Sequence, residues 1–278
     1  MSNKQTDFPF YDCVVAADTF SFLLALKSED YCHGLQCILI DLLKFDKNCR
    51  ESGEEKVIKQ YLASQEREYW HKLTSKKRKR EWLGGRFAAK YVAAEILIRA
   101  GHEVEWSRLS VCYDTTGRPF LAADDINSGL PDISISHSGD MAAAMSVGRG
   151  LCGIDIQKIT DRVIKVRRRF CSKREEQIVI SFFSNSSERP ATHLTKLWAA
   201  KEALRKVEKN SIVPGFLELE LKRIKAIPVS ENTASWRFSF TRKQSDLASD
   251  VGRKNYTVAL SRIADYVLAL VTTDDIVA

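Results

Sequence analysis

No Cys-x-x-Cys pair occurs in the 278 residues, although seven cysteines are present. Their odd number and their scatter from Cys13 to Cys171 suggest neither a disulfide framework nor a zinc site, so reduced packing cysteines are expected. The five histidines include no His-Glu-x-x-His, and Cys32-His33 has no partner pair at zinc-ligand spacing. Long apolar runs are also missing. Residues 20–26 are cut off by Lys27, Glu29 and Asp30, far short of the roughly 18 residues that a membrane helix needs. Lys4 is a lone early charge, and Asp7, Asp12 and Asp18 interrupt the apolar core of a signal peptide. A cytoplasmic protein with no membrane partner is the expectation. No internal sequence repeat stands out.

What is present looks globular: 44% apolar and 28% charged residues leave no room for long disorder. The length suits one large domain or two ordinary ones. A net charge of +7 favours acidic partners or phosphate-bearing ligands.

Residues 35–43 read as a strand and residues 51–73 as helices with polar loops. Thr74 or Ser75 is an N-cap for a long helix that Gly101 ends. From Leu109 the pattern becomes short alternating runs, at 109–113, 133–138, 141–147 and 151–156, with glycine turns between them; these read as an antiparallel sheet. Helices at 163–170, 173–183 and 192–208 follow, then strands at 236–240, 255–261 and 266–272. Two halves, 1–147 and 148–278, each run from helices to strands. The class is α+β.

In Gly153-Ile154-Asp155-Ile156-Gln157, strand alternation puts Asp155 and Gln157 on one face. Magnesium takes oxygen ligands, commonly one or two carboxylates with phosphates and water, so Asp155 is a candidate half of a site. A half-exposed strand with its polar face in water explains the pattern equally simply. In Trp198-Ala199-Ala200-Lys201-Glu202-Ala203-Leu204-Arg205-Lys206, helical spacing gathers Trp198, Lys201, Glu202 and Arg205 on a face away from Leu194, Leu197, Leu204 and Val207. An ordinary amphipathic helix with a Glu202–Lys206 pair accounts for the charges but less well for Trp198. Adjacent strand residues point to opposite faces, which speaks against a Ser–His dyad in Ser136-His137-Ser138; a hydroxyl or imidazole donating to a ligand phosphate and a plain strand-end polar cluster both fit it. Lys76-Lys77-Arg78-Lys79-Arg80, with Arg86 and Lys90, suits phosphate, a solvated face or nucleic acid. The lack of interleaved aromatics speaks against nucleic acid.

In this order, the pieces resemble the 4'-phosphopantetheinyl transferases of the Sfp (surfactin-synthetase-activating) type. The motifs are Arg80-Glu81-Trp82-Leu83-Gly84-Gly85-Arg86-Phe87-Ala88-Ala89-Lys90, Gly117-Arg118-Pro119, Ser136-His137-Ser138, Gly153 to Gln157, Phe170-Cys171-Ser172-Lys173-Arg174-Glu175, and Trp198 to Lys206. The resemblance spans residues 66–206. It implies two similar α+β halves in a pseudo-twofold arrangement, a pseudo-dimeric monomer with coenzyme A in the cleft, its N-terminal half binding coenzyme A and its C-terminal half holding magnesium. The implied reaction moves the phosphopantetheine arm of coenzyme A to a serine of an acidic acyl or peptidyl carrier protein and releases adenosine 3',5'-bisphosphate. Fatty-acid, polyketide and nonribosomal-peptide synthesis all use such carriers.

The same resemblance implies roles. Asp155, Glu202 and Gln157 hold magnesium; Glu202 takes the serine proton; Lys206 contacts the pyrophosphate. Arg80, Arg86, Arg118, Pro119, Ser136, His137, Lys201 and Lys206 bind coenzyme A. Gln157 departs from the family, where many members carry a second acid. That departure motivates the alternative of a catalytically silent relative that binds coenzyme A or a carrier.

Overall fold

The computed structural model describes residues 10–15, 34–126, 129–208, 213–227, 235–242 and 254–273. Among these residues, 10–15 and 34–152 form one compact unit and 153–273 another. The expectations for residues 20–26 and for Cys32-His33 lie outside the described residues.

In the first unit, strand β1 (Leu35–Asp41) passes straight into helix α1 (Leu42–Glu51). The Asp41 carboxylate accepts from the Leu43 and Lys44 amides at 2.9 and 3.1 Å. That cap ends the strand two residues earlier than its apolar pattern suggests. Helices α2 (Glu54–Tyr61), α3 (Ser64–Lys72) and α4 (Lys76–Arg99) follow. Ser75 Oγ caps α4 by accepting from the Arg78 amide, and Gly101, at φ +89°, turns the chain out of it. Then come β2 (Leu109–Tyr113), β3 (Pro119–Ala123), β4 (Asp132–Ser138) and β5 (Met141–Val147).

The antiparallel sheet β1-β5-β4 carries α4, and β2 and β3 make a separate ribbon. Ala88, Ala89, Val92 and Ala93 are fully buried in the helix–sheet contact, where small side chains let α4 approach closely. Phe45, Trp70 and Phe87 fill the space between α4 and the preceding helices.

The second unit begins on β6 (Leu151–Lys158) and continues through α5 (Arg162–Val166), α6 (Lys173–Phe182) and α7 (Pro190–Arg205). Its strands are β7 (Leu219–Ile227), β8 (Ser235–Arg242), β9 (Asn255–Ile263) and β10 (Tyr266–Thr273). One sheet runs in the order β6-β10-β9-β8-β7, and α7 packs on β10 and β9.

Residues 109–113 and 151–156 do not share one sheet with 133–138 and 141–147 as their pattern suggests, because β2 pairs with β3 and β6 pairs into the second unit's sheet. Strands β3 and β7 are not among the expected elements, although Leu219, Leu221 and Ile224 are the buried residues of β7. The α+β class holds for both units.

Among the described residues no helix is long and apolar enough to cross a membrane. The six described cysteines are all unpaired, and burial pushes the Cys13 and Cys171 thiols up to about 12, which fits inert packing residues.

Candidate active site

Asp155 lies on β6, where every residue from Leu151 to Ile156 is buried. The half-exposed strand is therefore not what forms; a carboxylate only 3% exposed is enclosed in the unit. Such a group needs partners. Lys206 Nζ donates to Asp155 Oδ1 at 2.9 Å and to the Ile154 carbonyl at 2.7 Å. Gln157 Nε2 donates to Asp155 Oδ2 at 2.9 Å, so the shared face expected from alternation forms. Gln157 thus meets Asp155 as a donor, holding the carboxylate from the other side.

Strand and helix come this close because of Gly153. A Cβ there would lie 2.2 Å from the Ala203 carbonyl oxygen on α7. Only glycine permits that approach. Its neighbour Glu202 keeps about a quarter of its side chain exposed, with Arg205 Nη1 3.5 Å from Oε2. Burial, then the negative charge of Asp155, raises the proton affinity of the Glu202 carboxyl, against the pull of Lys206 and Arg205. The structure therefore gathers Asp155, Gln157, Glu202 and Lys206 in the second unit.

Lys201 goes elsewhere. It is fully buried, and its ammonium reaches Glu175 Oε1 at 2.6 Å, the Phe170 carbonyl at 2.7 Å and the Phe216 carbonyl at 2.9 Å. Three acceptors use all three ammonium protons, leaving none for the ligand contact expected of Lys201.

Among the described residues no group of three or more His, Cys, Asp or Glu side chains is placed to hold a metal ion. A buried carboxylate beside a second one that burial and the first one's charge hold above its ordinary range does fit a magnesium ion shared with phosphates and water. Asp155 and Glu202 are those two.

In the first unit, Arg80 Nη2 lies 3.3 Å from Asp140 Oδ1, and His137 Nδ1 lies 3.9 Å from Glu81 Oε1. Helix α4 and the β4–β5 turn therefore bring Arg80 and His137 to one place. Ser136 is buried while half of the His137 side chain is exposed, as alternation demands and as a Ser–His dyad does not allow. Arg118 follows Gly117, at φ +82°, in a turn held by Asp114 Oδ1, which accepts from the Thr116 and Arg118 amides. Its guanidinium pairs with Asp132 and donates to the Cys152 carbonyl at 3.3 Å. Pro119 opens β3 opposite Tyr113. Asp132 and His137 stand at opposite ends of β4, roughly 17 Å apart along the strand. A single ligand touching Arg118 and His137 must be long.

Arg86 is almost wholly buried between the rings of Trp82, at 4.2 Å, and Tyr113, at 5.0 Å, and donates to the Tyr113 hydroxyl at 2.8 Å. Its Nε has no hydrogen-bond acceptor, with Glu66 Oε1 3.7 Å away. It lines a pocket of about 490 Å³ whose walls include Tyr69, Trp82 and Tyr113. Sequence reasoning missed Asp132, the anchor of Arg118, and Gly153's close approach; neither announces itself in local pattern. It also passed over the exposed cations Arg162, Lys165, Arg168, Arg169 and Lys173, which the charge run shows directly.

Residues 151–271 match the family model described as the 4'-phosphopantetheinyl transferase superfamily. A holo-[acyl-carrier-protein] synthase of Staphylococcus haemolyticus is 32% identical over 102 residues, covering 36% of this chain and 83% of the relative. One from Exiguobacterium sibiricum is 34% identical over 112 residues, covering 38% of this chain and 81% of the relative. A solved holo-(acyl-carrier-protein) synthase from Bacillus anthracis is 28% identical, covering 41% of this chain and 94% of that one, with a TM-score of 0.35. The chain belongs to the 4'-phosphopantetheinyl transferase superfamily.

Proposed function

We propose that this chain transfers the 4'-phosphopantetheine arm of coenzyme A to a serine hydroxyl of an acyl or peptidyl carrier protein, releasing adenosine 3',5'-bisphosphate. The observation that carries the reading is the buried Asp155 with the partly exposed Glu202 and Lys206 beside it, inside the family-matched residues. Glu202, whose proton affinity burial and Asp155 raise, takes the serine proton. The freed oxygen attacks the phosphorus bearing pantetheine, and the bond to the bisphosphate oxygen breaks. Lys206 offsets the charge that builds on that leaving oxygen. Asp155 and Glu202 would hold the magnesium ion, which supplies Lewis-acid neutralisation of the phosphates. Gln157 and Lys206 keep Asp155 oriented for that task.

Coenzyme A is long enough to suit binding residues set as far apart as Arg118 and His137. With Arg80, Pro119 and Ser136 they are the proposed contacts, and Arg86 offers what remains of its guanidinium through the aromatic pocket. Exposed Arg162, Lys165, Arg168, Arg169 and Lys173 favour an acidic carrier. The Sfp type is favoured because 102 matched residues already make up most of the Staphylococcus relative, whereas this chain adds a further α+β unit.

The test is mass spectrometry of apo carriers after incubation with coenzyme A and magnesium. A gain of one phosphopantetheine arm is expected. Tight coenzyme A binding with no gain on any of a panel of carriers supports instead the silent relative, a reading that the Gln157 amide facing Asp155 keeps in play.

A further inference from the structure

Lys201 and Glu175 form a clamp. Besides Lys201, Glu175 accepts from the Ser172 amide and the Leu221 amide, both at 2.9 Å. One buried ion pair thereby ties the start of α6, strand β7, the chain at Phe170 and Phe216, and helix α7. Rings close the joint: Trp198 meets Phe170 at 4.8 Å and stacks on Phe216 at 4.9 Å. Arg205 adds a bond from Nε to the Pro214 carbonyl at 3.0 Å.

The first unit holds the same device. Lys90 is fully buried and reaches Glu66 Oε2 at 2.5 Å, the Tyr61 carbonyl at 2.8 Å and the Trp106 carbonyl at 3.1 Å. Glu66 accepts from the Ala63 and Val111 amides, both at 3.0 Å. Phe87 takes the place of Trp198, meeting Tyr61 at 5.1 Å and Trp106 at 5.9 Å. In each unit the ring residue sits three positions before the lysine, which in both cases lies mid-helix.

Trp198, Lys201 and Arg205 recur at helical spacing and fix one face of α7; Glu202 is one residue, about 100°, further round. Holding that face sets where Glu202 and Lys206 point. On α4, Glu66 of the matching clamp also stands 3.7 Å from Arg86 Nε, and Arg80 lies on the same helix nearer its start.

We infer that Glu175 and Lys201 are positioning residues for the transfer step, while Glu66 and Lys90 position the coenzyme A contacts of the first unit. The inference rests on the transferase reading. Removing one charge strands the other in the interior, so both are removed together. Full-length wild type, Lys201→Met/Glu175→Gln and Lys90→Met/Glu66→Gln are compared well below their melting temperatures, following carrier mass gain against coenzyme A concentration.

Both variants should melt below wild type. The Lys201 variant should lose about 100-fold in kcat with KM for coenzyme A within about twofold. The Lys90 variant should raise that KM about tenfold with kcat within about twofold. If the Lys201 variant does not fold, Lys201→Arg, which keeps the charge but misplaces it, is held to the same split. A raised KM with kcat retained for the Lys201 variant, or no split in either, overturns the inference. A wild type that modifies no carrier overturns the reading and the inference together; an active wild type with an unsplit variant overturns the inference alone.

Discussion

Lys90 and Lys201 are buried in equivalent clamps, yet the residue after the first is Tyr91 and the residue after the second is Glu202. Four positions further on, the first unit has Glu95 and the second has Lys206. The strand facing Lys206 contributes Asp155. A shared frame thus carries different side chains beside it, and the proposed function assigns the transfer chemistry to those neighbours rather than to the lysine of the motif. Lys201, the most conspicuous cation of the motif, spends its protons on Glu175 and two carbonyls, while the less enclosed Lys206 reaches the carboxylate of Asp155.

Substitutions at matched positions either break this contrast or sharpen it. The largest effect should come from Glu202→Gln, which removes the proposed base and should lower kcat about 1,000-fold. Tyr91→Phe at the matching place in the first unit should leave kcat within about twofold. Equal losses would break the contrast. Lys206→Met should follow, with kcat/KM down about 100-fold, because the buried Asp155 loses its cation and, on the proposed mechanism, so does the leaving oxygen.

Glycines extend the contrast to stability. Gly153→Ala drives a methyl into the Ala203 backbone oxygen, and should cost roughly 1–3 kcal/mol in denaturant unfolding together with activity. Gly84→Ala meets only the end of the Leu42 side chain, at 2.3 Å, which can turn aside, so its loss of stability should be the smaller.

The smallest effect is one of pH. Since Asp155 raises the Glu202 carboxyl, Asp155→Asn should move the acid limb of its residual kcat profile to lower pH. Because the folded state holds that proton more tightly than the unfolded one, stability falls as pH rises through the raised value. Glu202→Gln should therefore melt above wild type at neutral pH, and the difference should vanish below the ordinary glutamate range.

Much of the frame was legible because it rests on local pattern. The Ser75 cap, the stop at Gly101 and the alternation around Asp155 each depend on residues a few positions apart. Strand β7 was missed because Leu219-Glu220-Leu221-Lys222-Arg223-Ile224 carries its apolar positions through a charged stretch with a register shift between Leu221 and Arg223. The site divides the same way. Asp155, Glu202 and Lys206 sit in motifs, whereas the partners of Arg118 and Lys201, Asp132 and Glu175, are chosen by pairing across the fold. Ser172-Lys173-Arg174-Glu175 closes a capping box, but a cap says nothing of a lysine on another helix.

The clamp lysines also bear on how such a chain tolerates change. Each has all three protons committed to main-chain and carboxylate oxygens, so in saturation mutagenesis positions 90 and 201 should accept almost nothing else. Position 202 stands beside a support that does not depend on it. Position 91, whose ring packs against the first unit's core, should keep to large aromatic or apolar residues, whereas position 202 should accept many at the cost of turnover alone. Neighbouring columns of one helix would then separate variants that unfold from variants that fold and fall silent.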